Sequence, residues 1–125
     1  MGNRRFLPAH HVRRDADFQR AYRCRCVASD QRLLVFGAPN GLPYPRLGLS
    51  VSRRLGNAVV RNRLKRLVRE AFRLTRGQLP AGIDLIVIPR RGSQQELSGL
   101  LESLPRLAER LERKLKMCQR QEQER

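Results

Sequence analysis

The clearest hydrophobic pattern in the chain lies between positions 57 and 76, where apolar residues recur every three or four positions. This spacing places them along one side of an α-helix. The apolar stripe consists of Val60, Leu64, Leu67, Ala71 and Leu74. Gly77 follows the stripe and is predicted to end the helix in a left-handed cap. The pattern therefore predicts an amphipathic helix over residues 57–76.

Three shorter segments have the patterns of β-strands. Residues 32–38 are mostly apolar, and residues 46–52 alternate between apolar and small polar side chains. The proline- and glycine-containing stretch at 39–45 separates these two segments, so we expect them to form a hairpin. A short strand around Val27 is expected to join them. Residues 83–88 are apolar apart from Asp84, which is typical of a strand covered on both faces.

Helices are also predicted at the two ends of the chain. Asp15 or Asp17 can cap a short helix that runs to about Arg23. A last helix, with Ser93-x-x-Glu96 as its capping box, is predicted from a second stripe. This stripe consists of Leu97, Leu100, Leu101, Leu104, Ala108, Leu111 and Leu115. Pro105 predicts a kink or a restart within it. Residues 1–14 are expected to be a flexible basic arm, and residues 118–125 a frayed tail.

Composition adds a strong charge to this outline. The 125 residues include 27 Lys and Arg against 11 Asp and Glu, a formal net charge of +16. The length suits one domain over residues 1–125. Such an excess of positive charge favours a polyanionic partner, and nucleic acid is the commonest. No apolar stretch approaches the ~20 residues that span a bilayer, so a membrane-spanning protein is a poor interpretation.

The cysteines point away from a secreted scaffold and from zinc. Three cysteines form no paired framework, which is typical of free thiols in a reducing compartment. Cys24 and Cys26 could be combined with His10 and His11 as zinc ligands, but no second pair with zinc-ligand spacing follows them. Ordinary free thiols are therefore the favoured interpretation, and no metal ligand is assigned to the chain.

The polar side of the central helix is strongly cationic. Opposite the apolar stripe lie Arg61, Lys65, Arg66, Arg69, Arg73 and Arg76. Arg61, Lys65 and Arg69 form a like-charged row at i, i+4 spacing, which an ordinary solvated surface avoids. Arginine pairs bidentately with phosphate and stacks on bases. The helix therefore presents a candidate phosphate-binding face.

The segment from Gly56 to Phe72, GNAVVRNRLKRLVREAF, closely resembles the signature helix of the bacterial ribonuclease P protein subunit. The resemblance extends upstream through Leu49-Ser50-Val51-Ser52-Arg53-Arg54 and through residues 17–22. The order of elements agrees from about Phe6 to Leu115. The chain is thus similar to this family over nearly its whole length.

The resemblance implies an α/β (α+β) two-layer sandwich like the second domain of ribosomal protein S5. A mixed four-stranded sheet would pack with about three helices, and the strand-helix-strand crossover around the signature helix would be left-handed, against the general rule. The family protein binds a large catalytic RNA, and together they remove the 5′ leader of precursor tRNA. The RNA carries out the hydrolysis with magnesium ions, so the protein alone would be inactive.

Site residues follow from the resemblance residue by residue. Those matching the region that faces the catalytic RNA are Arg54, Asn57, Arg61, Asn62, Arg63, Lys65, Arg66 and Arg69. Phe18 and Tyr22 match aromatics of the cleft that holds the single-stranded leader, where bases can stack on rings. Plain core packing is the alternative for both. Some relatives have an aromatic residue at the position of Val35. In this chain Phe36, the neighbour of Val35, is the candidate third aromatic of the cleft. Adjacent strand residues face opposite sides, so which of the two faces the cleft stays open.

Other functions remain as alternatives. A protein nuclease needs convergent carboxylates, and few acids precede the last helix. A general RNA-binding or ribosome-associated protein could use the same basic helix. A membrane-active protein is a third hypothesis, because residues 104–116 are amphipathic and cationic. The resemblance implies a bacterial cytoplasmic protein whose partners are the catalytic RNA and precursor tRNA, with neither a membrane nor a stable protein partner required.

Overall fold

The computed structural model describes residues 8–91 and 95–123. In chain order, the helices are α1 (Asp15–Cys24), α2 (Ala58–Thr75) and α3 (Leu97–Gln123). The strands are β1 (Cys26–Ser29), β2 (Leu33–Pro39), β3 (Arg46–Leu49) and β4 (Ile83–Pro89). Short 3-10 helices occupy Pro8–His10, Arg53–Leu55 and Arg76–Gln78. The predicted fold class, a mixed four-stranded sheet with three helices, is confirmed.

The strands lie in the order β1-β2-β4-β3. β4 pairs antiparallel with β2 and parallel with β3, so the expected hairpin between residues 32–38 and 46–52 is wrong. β4 is buried, so its backbone N–H and C=O groups need hydrogen-bond partners. Its place between β2 and β3 gives it such partners along both edges. The strand around Val27 is confirmed as β1. α2 connects the parallel strands β3 and β4, and the left hand expected for this crossover stays a prediction.

Alternation along the strands divides the buried side chains between two faces of the sheet. α2 and α3 cover one face, where the larger hydrophobic cluster includes Val35, Phe72, Leu85 and Leu104. α1 covers part of the other face. A smaller cluster there contains Val12, Ala21, Ala38 and Ile86, and Phe18, Tyr22 and Phe36 pack against it partly buried.

α2 is rotated about its axis relative to the stripe predicted from the sequence. Its buried residues are Val68, Ala71, Phe72 and Thr75, whereas Val60 remains 41% exposed. At 100° per residue, the buried side lies roughly 70° from the centre of the predicted stripe. The rotation has a physical reason, because α2 packs against α3 as well as against the sheet. Its largest apolar side chain, Phe72, is buried in the cluster that these elements share. Arg61 and Lys65 are consequently half-buried rather than opposite the core.

The helix ends differ from several expectations. α1 has Arg14 as its N-cap without a side-chain hydrogen bond, so neither Asp15 nor Asp17 caps it; both lie in its first turn, where carboxylates still favour the helix dipole. α2 continues into a 3-10 turn, and Gly77 does not adopt a positive φ, so the predicted left-handed cap is wrong.

α3 is a single helix that passes through Pro105, so no restart occurs there. Its helical conformation continues to Gln123, and the fraying expected for residues 118–125 stays a prediction. The first residue of the expected capping box, Ser93, lies outside the described residues.

Part of the expected N-terminal arm is held against the sheet. His11 forms a parallel bridge with Leu47, and the Val12 N–H donates to the Leu47 carbonyl oxygen at 2.9 Å. Val12 is buried in the smaller cluster. His11 and Val12 are therefore held against β3, while the flexibility predicted for residues 1–14 stays a prediction. Residues 1–7 lie outside the described part of the chain.

Candidate nucleic-acid interface

The start of α2 is shaped by a capped turn. The Asn57 side chain accepts a hydrogen bond from the Val60 N–H at 3.0 Å, which satisfies one of the free donors at the helix start. Gly56 precedes it with φ 142°, and a Cβ there would lie 2.9 Å from Val60. Only glycine suits this position. The turn presents the exposed side chains of Arg54 and Asn57 at the start of the basic helix.

The basic residues of α2 divide between two flanks. On one flank, Lys65 and Arg69 line a depression of about 320 Å³ together with His11, Arg13 and Phe18. On the other flank, Arg63 and Arg66 line a depression of about 260 Å³ with Leu67 and Glu70. Asn62 is exposed between these flanks. Four of the eight predicted residues therefore line two separate depressions on opposite flanks of α2.

The like-charged row keeps its charge uncompensated. Among residues 8–91 and 95–118, no carboxylate lies within 4 Å of Arg61, Lys65 or Arg69. The Nε of Arg61 is covered and has no hydrogen-bond acceptor there. Glu70, the one acid of the helix, instead pairs with Arg73, and this bond lowers the pKa of Glu70. A row of cations without counterions is suited to a polyanion.

The aromatic residues Phe18, Tyr22 and Phe36 lie partly buried on the α1 face of the sheet, where the family resemblance implies the leader cleft. Tyr22 and Phe36 meet edge to face, with ring centroids 5.0 Å apart. Phe18 lies against Gly48, where a Cβ would approach its ring to 3.1 Å and Ile86 to 2.6 Å. Val35 is fully buried on the opposite face. Of the two neighbouring strand residues, Phe36 is thus the one that lies with the α1 aromatics.

A charged network holds α1 onto the sheet beside this cleft. Asp84, fully buried, accepts hydrogen bonds from Arg46 Nε at 2.7 Å and Arg20 Nη2 at 3.0 Å. Asn40 Nδ2 donates to the same carboxylate at 2.9 Å. Hydrogen bonds to Asp84 raise the pKa of Arg46. In the sequence, Asp84 stands out only as an interruption of an apolar run. An acid in a buried strand requires cationic partners, and that signal could have predicted this network.

The two histidines of the N-terminal segment also lie beside the basic helix, which sequence patterns did not predict. Burial lowers the pKa of His10, and Arg76 lowers it further. Burial also lowers the pKa of His11, with Arg13 and Arg69 adding to the effect. Bringing an anion into this depression would oppose these effects on His11.

The described residues do not fit a protein-bound metal. No group of three or more His, Cys, Asp or Glu side chains is placed to hold an ion within the described ranges. The carboxylate of Asp84 is engaged by arginine and asparagine donors. Magnesium, expected from the family resemblance to be bound mainly by the RNA, therefore enters no step assigned to these side chains.

Known proteins match this arrangement of sequence and fold. The family model described as Ribonuclease P matches residues 6–112. A ribonuclease P protein component from Syntrophobacter fumaroxidans is 41% identical over 99 residues, covering 79% of this chain and 83% of that protein. The solved ribonuclease P protein from Thermotoga maritima has a TM-score of 0.73 and 34% identity, covering 80% of this chain and 96% of its own. The corresponding Staphylococcus aureus structure has a TM-score of 0.69 at 33% identity, covering 78% and 91%. The chain belongs to the ribonuclease P protein family.

Proposed function

We propose that the cationic surface of α2 binds the catalytic RNA and that the aromatic cleft binds the 5′ leader of precursor tRNA. Membership of the family makes the chain the protein subunit of a ribonucleoprotein endoribonuclease that processes the 5′ end of tRNA, with ribonuclease P RNA as its partner. What is proposed here is the assignment of these two tasks to two parts of the surface.

The continuity of the two parts is the observation that carries the proposal. The depression lined by Lys65 and Arg69 also contains Phe18, which belongs to the cleft. An RNA strand bound there could place its phosphates on the cations while its bases reach the rings. Base stacking on an aromatic side chain contributes roughly 1–3 kcal/mol. The α2 cations would thus contact both the catalytic RNA and the phosphates of the leader.

The RNA and its magnesium ions would carry out the hydrolysis in this proposal. The side chains of the protein would bind and orient the precursor and so increase the affinity of the holoenzyme for it. The protein alone would not cut the precursor. Site-specific cleavage of precursor tRNA by RNA-free protein, persisting after removal of contaminating nuclease, would contradict this division of roles.

Precursor tRNA as a partner and the bacterial cytoplasm as the location belong to the same proposal. The related ribonuclease P protein components come from bacteria. No helix in the described part of the chain is long and apolar enough to cross a bilayer. Binding to anionic liposomes at physiological salt, as tight as binding to the RNA, would instead favour the membrane-active alternative.

Photo-crosslinking tests the proposed path of the leader. Precursor tRNA carrying 4-thiouridine in its leader is bound to the holoenzyme, reconstituted from the protein and its catalytic RNA, and irradiated. We expect cross-linked peptides from α1 and β2, which carry Phe18, Tyr22 and Phe36. Cross-links confined to the exposed side of α3 would contradict the cleft assignment.

Recovery of the protein from its own cells tests the RNA partner. Sequencing of the co-purified RNA should yield ribonuclease P RNA and precursor tRNAs. Recovery of chiefly ribosomal RNA would favour a general RNA-binding or ribosome-associated protein.

A further inference from the structure

Two cysteines far apart in the sequence meet at the edge of the sheet. Cys26 is the first residue of β1, and Cys118 lies near the end of α3. On α3, Cys118 follows Leu111 and Leu115 by seven and three positions, so it continues the side of the helix that faces the sheet. Cys26 is buried in the larger hydrophobic cluster on the same side of the sheet, so the two elements bring both cysteines to one place.

Neighbouring contacts hold these elements together at the same point. Leu111 lies against Gly37, where a Cβ would come within 3.3 Å of it, and Gly37 pairs with Cys26 in the sheet. The Lys114 ammonium donates to the carbonyl oxygen of Val27, the residue after Cys26. Cys118 also contributes to the raised pKa of Cys26, which places the two thiols near each other. Two contacts from the preceding turns of α3 thus hold this helix against β1 and β2 beside Cys26.

The two thiols differ in their environments. Cys118 is exposed, whereas Cys26 is 4% exposed and belongs to the larger hydrophobic cluster. Burial, with Cys24 and Cys118 nearby, raises the pKa of Cys26 to about 11, so it remains protonated at neutral pH. Thiolate character and exposure control oxidation. A small oxidant would therefore attack Cys118 first.

We propose that Cys26 and Cys118 form a reversible disulfide-forming pair that reacts with hydroperoxides. In the first step, the Cys118 sulfur attacks the peroxide, the O–O bond breaks, and Cys118 sulfenic acid and an alcohol or water form. In the second step, the Cys26 thiol condenses with that sulfenic acid, and an S–S bond forms with release of water. The two thiols lose two electrons in total, and the hydroperoxide is reduced. A thiol reductant reverses the reaction.

The disulfide would affect the stability of the protein more strongly than it would affect RNA binding. It would close a loop spanning most of the chain, and long loops restrict the unfolded state most. The pair lies on the side of the sheet covered by α3, away from the phenylalanine and tyrosine rings of the cleft. Oxidation would therefore join the end of α3 to β1 while leaving the proposed leader surface in place.

The experiment uses the full chain treated with stoichiometric hydrogen peroxide under native conditions. We expect loss of two of the three titratable thiols, a Cys26–Cys118 disulfide in peptide mass mapping, and a melting temperature higher by at least about 5 °C. Dithiothreitol should restore the original melting temperature. Cys24→Ser is the matched control, because it removes an exposed thiol and keeps the pair; it should behave like the parent chain.

Cys118→Ser separates the pair from general thiol oxidation. This variant should show no peroxide-dependent rise in melting temperature, and its reduced form should match the reduced parent chain to within a few degrees. A disulfide that maps to Cys24, cross-linked dimers as the main product, or a Cys118→Ser variant that still gains stability on oxidation would each overturn the proposal.

Discussion

The two faces of the sheet show how one set of strands supports two different surfaces. The face covered by α2 and α3 is closed, and Val35, Leu85, Phe72 and Leu104 have no exposed area there. The face covered by α1 is only partly closed, and its three aromatic rings remain half-buried. Stability is therefore concentrated on one face, and partly exposed rings remain available for binding on the other. Five predictions test this contrast.

Truncation on the closed face should have the largest effect. Phe72→Ala should lower the free energy of unfolding by about 3–5 kcal/mol, because a fully buried ring leaves a cavity. Val59→Ala on the same helix is the control. Val59 is 77% exposed, so its truncation should change stability by less than about 0.5 kcal/mol. Urea unfolding measures both. Equal effects at the two positions would show that α2 does not pack as described.

Breaking the charged network on the open face should rank second. Asp84→Asn should lower the free energy of unfolding by roughly 2–4 kcal/mol. This is somewhat less than the loss expected for a fully buried ion pair, because Arg20 still reaches water. Since Arg20 belongs to α1, we also expect weaker leader binding from a less firmly held cleft. Urea unfolding and precursor affinity are measured together. Unchanged values of both would show that the network does not fix α1.

The pH dependence of stability tests the turn between β1 and β2, which α3 holds. Burial alone would raise the pKa of Asp30, but hydrogen bonds from Ser103, from the Leu33 and Arg32 N–H groups and from Arg106 outweigh it and lower the pKa to about 2. A lowered folded-state pKa adds stability above the unfolded value of 3.8, and that stability is lost as the pH falls toward 2.

The expected contribution of Asp30 is about 2 kcal/mol at neutral pH. Asp30→Asn should therefore destabilise the protein by about this amount at pH 7 and much less near pH 2. The exposed Asp15 serves as the control, through Asp15→Asn. Parallel stability curves for Asp30→Asn and the parent chain between pH 2 and pH 5 would argue against this role.

Binding should be more sensitive than stability to truncation in the cleft. Phe18→Ala should weaken binding of precursor tRNA with a leader of several nucleotides by roughly 5- to 150-fold, or about 1–3 kcal/mol. Binding of mature tRNA, which has no leader, should change little. Both affinities are measured with the holoenzyme, together with the melting temperature. Equal losses for the two RNAs and a strongly lowered melting temperature would leave Phe18 as a packing residue.

The smallest expected effect concerns salt. Changing Lys65 and Arg69 to Ala should make the salt dependence of binding to the catalytic RNA shallower by about one counterion per lost phosphate contact. Arg110→Ala with Lys116→Ala is the charge-matched control on the exposed side of α3. Binding titrations over a range of salt concentrations give both slopes. The same slope for both pairs would show that the α2 side chains do not contact phosphate.

The sequence alone determined the elements and the chemistry of the surface. Periodicity predicted α2 and the strands at 33–39 and 83–89 within one or two residues, because hydrophobic spacing is a local property. The motif around Arg61 and Asn62 predicted the family, since it is long and specific. The partners of these residues in the fold, by contrast, are set by contacts between distant segments.

Only the tertiary structure decided how these elements meet. It placed β4 between β2 and β3, turned α2 toward α3, and put Phe36 rather than Val35 with the aromatic cleft. It also surrounded Asp84 with arginines and brought Cys118 to Cys26. A periodic pattern shows which residues share a face, but the partner of that face depends on strand pairing and helix packing over long sequence separations.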